Sequence, residues 1–429
     1  MPIRCPYVHA AFYLWYGNPQ QDGRWRHWDH PTLPHWDAHV NEKYAPGVPF
    51  DPPLAPHAPF FPERGLYSSA DFETTRAQLA SLKAAGVDSV MLSWWGRTTA
   101  SVSRDSQGVD TDAIIPGVLD AAKQARRGHW RPPTPTRPSQ RRAPPHPVTQ
   151  AGIGVSWHIE PYGGRSPRSV LSDLRYIQEK YGSHPAIWRQ GPNALPLVFL
   201  YDVSFEHAGV DAESRARMQG MWAHTVKSLR GSDADAVLFS LYLDRRDADF
   251  IRDVGFDGGY TYFGASGFTE GSTTSHWPDA HERLRSDGKH FVISARRDRA
   301  EIGARDRCPR SVPEIAPSRR RAQVSPGYND TLIRPWNLQN ARPRRSGHYY
   351  DSMWRAASAE LPHAISITSY NEWGEGTQIE EAVAHGGRDD YGEGGPGFYM
   401  QRTAEWVNRT RDACHLRDKG KDDSARDEL

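Results

Sequence analysis

Short apolar runs alternate with amphipathic stretches along most of this chain. "VHAAFYLWYG" (8–17) reads as a first strand, and "DFETTRAQLASLKAAG" (71–86) as a helix with Phe72, Leu79 and Leu82 on one face and Gly86 at its stop. "VDSVMLSWWG" (87–96) with "AIIPGVLDAAKQA" (113–125), and "IGVSWHIEPYGG" (153–164) with "SVLSDLRYIQEKYG" (169–182), repeat the pattern. Less regular pairs follow: "LPLVFLYDV" with "ESRARMQGMWAHTVKSLRG", "AVLFSLYLD" with "ADFIRDVG", and "FDGGYTYFG" with "SHWPDAHERLRSDG". "KHFVISA" with "GHYYDSMWRAASAEL" and "HAISITSYNEW" with "GFYMQRTAEWVNRTRDAC" complete eight strand–helix units. Eight such units, with no GxGxxG after the first strand, predict an α/β fold in the form of a single (β/α)8 (TIM) barrel rather than a doubly wound sheet.

Two segments break this rhythm. Residues 126–149 and 296–322 are rich in Arg and Pro and lack periodicity, so they read as disordered insertions in, or gene-model artefacts of, a single barrel domain spanning 1–415. Residues 416–429 read as a charged C-terminal tail, whose last four residues, Arg426, Asp427, Glu428 and Leu429, resemble a KDEL-type retrieval signal.

Composition narrows the chemistry. With 429 residues and 37% hydrophobic content the chain can bury a large core, and a net charge of +1 gives no global pull toward nucleic acid or anionic membrane. The 15 Trp, 18 Tyr and 14 Phe exceed what a core needs, and flat aromatic faces suit sugar rings. Three cysteines, Cys5, Cys308 and Cys414, are too few and too scattered for a disulfide framework or a zinc site. No apolar run approaches membrane-spanning length, which predicts a soluble chain.

A barrel of this kind places its active site at the C-terminal ends of the strands. Those ends carry Trp15 and Tyr16, Trp94 and Trp95, His158 and Glu160 with Pro161 and Tyr162, Tyr201 and Asp202, Tyr260 and Tyr262, and finally Glu372 and Glu375 within "SITSYNEWGEGTQIEE". Cleavage of a glycosidic bond needs two carboxyl groups flanking it, one protonated and one ionised, and Glu372 and Glu375 can supply them. The bland alternative for the pair is a capping role at the start of the last helix, where its dipole favours acidic residues. For Glu160 the alternative is a solvated loop carboxylate, for Trp94 and Trp95 barrel packing, and for His158 a satisfied barrel-mouth residue. No cluster has metal-ligand spacing, so neither a metal nor a cofactor is expected.

Read together, "VHAAFYLWYGNPQQDGRWRHWDHPTLPHW", "VSWHIEPYGGR", "YIQEKYGSHPAIWR", "GFDGGYTYFGASGFTEGS", "PGYNDTLIRPWN" and "ISITSYNEWGEGTQIEEAV" resemble glycoside hydrolase family 99, the endo-α-1,2-mannosidases and endo-α-1,2-mannanases. The resemblance runs in matching order from about residue 8 to residue 407 and fails only in the two Arg/Pro-rich segments. It implies a retaining endo-acting mannosidase that releases glucosylmannose units from glucosylated high-mannose N-glycans. It also implies a mechanism without a protein nucleophile: Glu372 as base on the substrate's own 2-hydroxyl, a 1,2-anhydro sugar intermediate, and Glu375 as acid and then base.

The same resemblance makes Glu160, Tyr201, Tyr262 and Arg334 substrate contacts, beside Tyr16, Trp95, His158 and Tyr260 at the other strand ends. Position 374 departs from vertebrate members, where a histidine is usual, and Gly374 removes a contact to the sugar or to the loop. Animal members carry a membrane anchor before the barrel, so the expected address is the lumen of the secretory pathway, Golgi or endoplasmic reticulum, with a retrieval receptor as partner for the RDEL-like end. The competing functions are an endo-mannanase acting on mannose polysaccharide and a catalytically idle carbohydrate-binding barrel.

Overall fold

The computed structural model describes residues 5–35, 37–97, 105, 107–125, 152–204, 211–286, 288–292, 322–360 and 363–424. Among the described residues, nine parallel strands run through its main sheet: β1 (Tyr7–Phe12), β2 (Ser89–Trp94), β3 (Gly154–Ile159), β4 (Leu195–Leu200), β5 (Val237–Leu241), β6 (Gly258–Tyr260), β7 (His290–Val292), β8 (Ala322–Val324) and β9 (Ala364–Ile367); a tenth, Arg189–Gln190, pairs antiparallel with β4. Their order is β8-β9-β1-β2-β3-β4-β5-β6-β7. The sheet curls until β7, at one end of that order, lies against β9 near the other. This is the predicted (β/α)8 barrel, with one strand, β8, that the sequence pattern did not separate from its surroundings.

Eight helices wrap the sheet: α1 (Phe72–Ala84), α2 (Thr111–Gln124), α3 (Pro167–Tyr181), α4 (Ala212–Leu229), α5 (Arg246–Val254), α6 (Trp277–Ser286), α7 (His348–Glu360) and α8 (Phe398–Ser424). Local chemistry sets their limits. The Asp71 side chain accepts the amides of Glu73 and Thr74 to start α1, and Ser166 and Ser169 cap each other's backbone to start α3. Gly86 then ends the α1 turn in the left-handed region at φ +85°, packed so closely that an added Cβ would stand 3.0 Å from Val407. Strands β2 and β3 are buried along their whole length, as expected where a parallel sheet is covered on one face by helices and filled on the other by its own side chains.

The strands are shorter than the apolar runs suggest. β1 stops at Phe12 and β3 at Ile159, so the aromatic and acidic residues that follow belong to loops over the barrel mouth. α8 runs on to Ser424, into the region read as a charged tail. The RDEL-like residues 426–429, the insertion 126–149 and all of 296–322 but Ala322 lie outside the described residues.

The cysteines, too few for a disulfide framework, still form one bridge that the sequence reading did not anticipate. Cys5 and Cys414 are joined in a disulfide with their Cα atoms 5.5 Å apart. Their separation of 409 residues hid the pair, because only closure of the barrel brings α8 beside the approach to β1.

Candidate active site

The turn after β9 carries the most distinctive chemistry. The peptide between Thr368 and Ser369 is cis, and the chain then loops out and returns. Ser369 closes the loop: its N–H donates to the Thr377 carbonyl at 2.9 Å, its hydroxyl bonds that of Thr377 at 2.9 Å, and it accepts the Glu372 amide at 2.8 Å. Glu372 and Glu375 are therefore held on a pinched loop, and the nearest downstream helix, α8, starts only at Phe398. Helix capping does not account for the pair.

Neighbouring residues brace the loop from behind. Asn371 grips Tyr13 through both backbone groups, accepting its N–H at 2.8 Å and donating to its carbonyl at 3.0 Å. The Tyr16 hydroxyl donates to the Asn371 carbonyl and accepts the Trp373 amide, each at 3.0 Å. The buried Trp373 indole donates to Glu380 at 3.1 Å, and the Tyr67 hydroxyl and Gln78 amide donate to the same carboxylate at 2.7 Å each. Burial pushes Glu380 up to about 7 against these donors.

In front of the loop the acids are treated differently. Glu372 is buried, and among the described residues its carboxylate receives no hydrogen bond. Burial, with the neighbouring Glu375 charge, lifts it well above the usual carboxylate range. Glu375 keeps 26% of its side chain exposed to the cleft and accepts Arg334 Nη1 at 3.1 Å. Burial raises it too, and the Arg334 charge partly opposes that rise. Arg334 is itself anchored by Asp330 at 2.9 Å, which Asn337 holds through two contacts of 3.0 Å.

The loop after β3 presents the third carboxylate. Glu160 Oε1 accepts His158 Nδ1 and the Ser93 hydroxyl, both at 2.8 Å. Behind them, His158 Nε2 accepts the Tyr260 hydroxyl at 2.8 Å, and Ser93 accepts the Trp95 indole at 3.1 Å. Donation from Nδ1 to a carboxylate and acceptance at Nε2 fix one imidazole tautomer. Tyr262 stacks on His158 at 5.4 Å and meets Tyr201 edge-on at 5.4 Å. Burial raises both phenols, so they face the cleft as neutral hydroxyls.

These walls enclose a cleft of about 260 Å³. Glu372, Glu375, Glu160, Tyr201, Tyr262, Arg334, Tyr16 and Trp95 all line it. His158 and Tyr260 do not; they stand behind Glu160. Trp15, read at the first strand end, lines the cleft as well, as do Tyr13, His27, His30, Leu33, His57 and Ile333, which sequence reading did not select. Trp15 and the "RHWDHP" segment carried a signal, being polar-aromatic and next to a strand end, whereas nothing in "DPPLAPHAPF" marked His57. Trp15 stacks on His27 at 4.4 Å and on Tyr13 at 4.4 Å, and its ring lies 6.1 Å from Trp95, an aromatic wall suited to sugar faces. His27 Nε2 bonds Asp105 at 2.7 Å. Among the described residues no group of three or more His, Cys, Asp or Glu side chains is placed to hold a metal ion.

The sequence model described as Glycosyl hydrolase family 99 matches residues 5–128, 147–301 and 321–412. Both breaks fall inside the Arg/Pro-rich segments. Glycoprotein endo-alpha-1,2-mannosidase of Mus musculus is 32% identical over 415 residues, covering 94% of this chain and 74% of its own. The Xenopus laevis protein of the same name is 33% identical over 414 residues, covering 94% and 76%. Among solved structures, the GH99 endo-alpha-mannosidase from Bacteroides thetaiotaomicron superposes with a TM-score of 0.70 at 30% identity, over 95% of this chain and 98% of that one.

Proposed function

Because the chain belongs to glycosyl hydrolase family 99 and is a glycoside hydrolase, we propose that it is a retaining endo-α-1,2-mannosidase acting through the substrate's own 2-hydroxyl. One observation carries the reading. The Glu372 carboxylate is buried at a cleft of sugar dimensions, beside Glu375, with no hydrogen bond from a described residue to occupy it.

In the proposed first step Glu372 takes the proton from O2 of the mannosyl unit, and O2 attacks C1. The C1 bond to the leaving sugar breaks while Glu375 protonates the departing oxygen. The product is a 1,2-anhydro sugar. In the second step Glu375 takes a proton from water, the water oxygen attacks C1, and the epoxide bond from C1 to O2 opens as O2 recovers its proton from Glu372. Two inversions give retention. An α-mannoside holds its axial 2-hydroxyl anti to the leaving group, so the attack has the entropic advantage of an intramolecular reaction. Glu160 with its fixed Oε1, the neutral hydroxyls of Tyr201 and Tyr262, and Arg334 would orient the sugar.

Burial raises both glutamates, and the Arg334 charge favours ionisation of Glu375. A 2-hydroxyl donated to Glu372 favours charge there on binding. The same observation supports a second reading, in which the two glutamates exchange roles. Intact-mass spectrometry with a 2-deoxy or 2-fluoro mannosyl donor tests the shared premise. A covalent adduct on Glu372 would sink the epoxide route, and retained configuration without an adduct would support it.

The substrate reading follows the relatives, which bear the name glycoprotein endo-alpha-1,2-mannosidase. We assign the chain to N-glycan processing in the lumen of the secretory pathway. The Cys5–Cys414 disulfide supports an oxidising compartment. Among the described residues no helix is long and apolar enough to cross a membrane.

A further inference from the structure

His57 sits in the cleft wall against Gly374, between the two glutamates in sequence, on a Pro-rich loop that no catalytic role above uses. A Cβ built on Gly374 would stand 2.5 Å from His57 Cε1, 3.1 Å from Nδ1 and 3.3 Å from Nε2. Gly374 is not among the glycines with positive φ. Its lack of a side chain therefore serves space rather than backbone conformation, and the imidazole fills that space.

The ring is held in one state. Its backbone N–H donates to the Trp28 carbonyl at 2.6 Å, and Phe50 and His30 flank the imidazole at 5.1 and 5.6 Å. Nδ1 lies 3.4 Å from the His27 carbonyl, which can only accept, so Nδ1 carries the hydrogen. Burial, reinforced by His30, His27 and Arg334, holds the group down at about 3, which favours the neutral imidazole. Nε2 is then a lone-pair acceptor. It is buried and has no hydrogen-bond partner among the described residues, in a residue only 4% exposed. A buried acceptor without a donor costs free energy unless a ligand supplies one.

We propose that His57 is a specificity-determining residue whose Nε2 accepts a hydroxyl of a sugar flanking the cleaved bond, with Gly374 leaving room for the ring. This rests on the mannosidase reading above. It adds a recognition contact from outside the strand ends, and it predicts that residues 57 and 374 behave as one unit.

The test uses the full chain, with α-1,2-linked mannosides and a panel of their monodeoxy analogues. His57→Phe keeps a ring and removes the acceptor; it should lose about tenfold in kcat/KM on the parent mannoside, mostly through KM. On one deoxy analogue, wild type should show the same loss and His57→Phe no further one. His57→Gln, whose Oε1 can accept, should recover most of the activity and the wild-type selectivity. Gly374→Ala should impair binding, and His57→Ala added to it should relieve the clash. Melting temperatures accompany each variant. If a folded His57→Phe enzyme matches wild type on the whole panel, or loses equally on every analogue, the contact is overturned while the mannosidase reading stands. If wild type neither binds nor cleaves any α-1,2-mannoside, both fail.

Discussion

Glu160 and Glu372 face one cleft from different strands, yet they are equipped in contrasting ways. Glu160 is wired into a chain that runs from the Trp95 indole through Ser93 on one side and from Tyr260 through His158 on the other, with both inner bonds ending on Oε1. Glu372 is fixed through its backbone, by Ser369 and Thr377, and its carboxylate is left bare among the described residues. A carboxylate given strong fixed donors is a held charge that orients a ligand. One left bare in a buried place has a proton affinity that depends on what arrives, which is what proton transfer requires. Under the proposed mechanism, the contrast separates a positioning acid from a reacting one.

The sharpest way to break the comparison is to neutralise the reacting pair. Glu375→Gln should lose roughly 10²- to 10⁴-fold in turnover of ordinary mannosides while still binding them. With an α-mannosyl fluoride, whose leaving group needs no acid, Glu375→Gln should recover much of its activity and Glu372→Gln should not. The opposite pattern in single-turnover assays would exchange the two roles.

A second test concerns the cation. Arg334 favours the ionised form of Glu375, so removing it raises the Glu375 pKa further. If Glu375 must be protonated to act, the alkaline limb of kcat/KM against pH should move to higher pH in Arg334→Met by about a unit. Arg334→Lys keeps the charge and should hold the limb in place. A limb that stays put in both variants would show that another group sets it.

Breaking the wired wall should do less. His158→Phe removes the donor to Glu160 and the acceptor for Tyr260 together, and we expect a fall of about tenfold in kcat/KM with the pH profile unchanged in shape. A loss as large as that of Glu375→Gln would erase the distinction between the two acids. The smallest effect on catalysis belongs to Cys414→Ser, which should leave kcat intact and reduce stability by about 2–5 kcal/mol, read by denaturant unfolding.

Much of the barrel was legible because strand and helix periods repeat, and because a glycine such as Gly86 marks a helix stop. Glu372, Glu375 and Glu160 stood out because acidic and aromatic residues directly after apolar runs have a known place in such a fold. What stayed hidden required the third dimension. His57 reaches the cleft from a Pro-rich loop without periodicity, and the value of Gly374 lies in the ring that occupies its missing side chain. Strand β8 is three residues long and abuts an irregular segment, too short for a period to show. His158 and Tyr260 carry the same residue types as true lining groups, and only the direction of their hydrogen bonds puts them behind Glu160.

The covalent link between Cys5 and Cys414 also determines how the molecule responds to force. Pulled from points upstream of Cys5 and downstream of Cys414, the chain would carry the load through one sulfur–sulfur bond, and the span between the two cysteines, barrel and cleft included, would feel no tension. A fully folded enzyme could thus be tethered at both ends, or dragged through a translocating pore as far as Cys5, without its catalytic loop being the part that yields. Reduction would abolish that protection at once, exposing β1 to direct unzipping from β2 and β9, the two strands it joins.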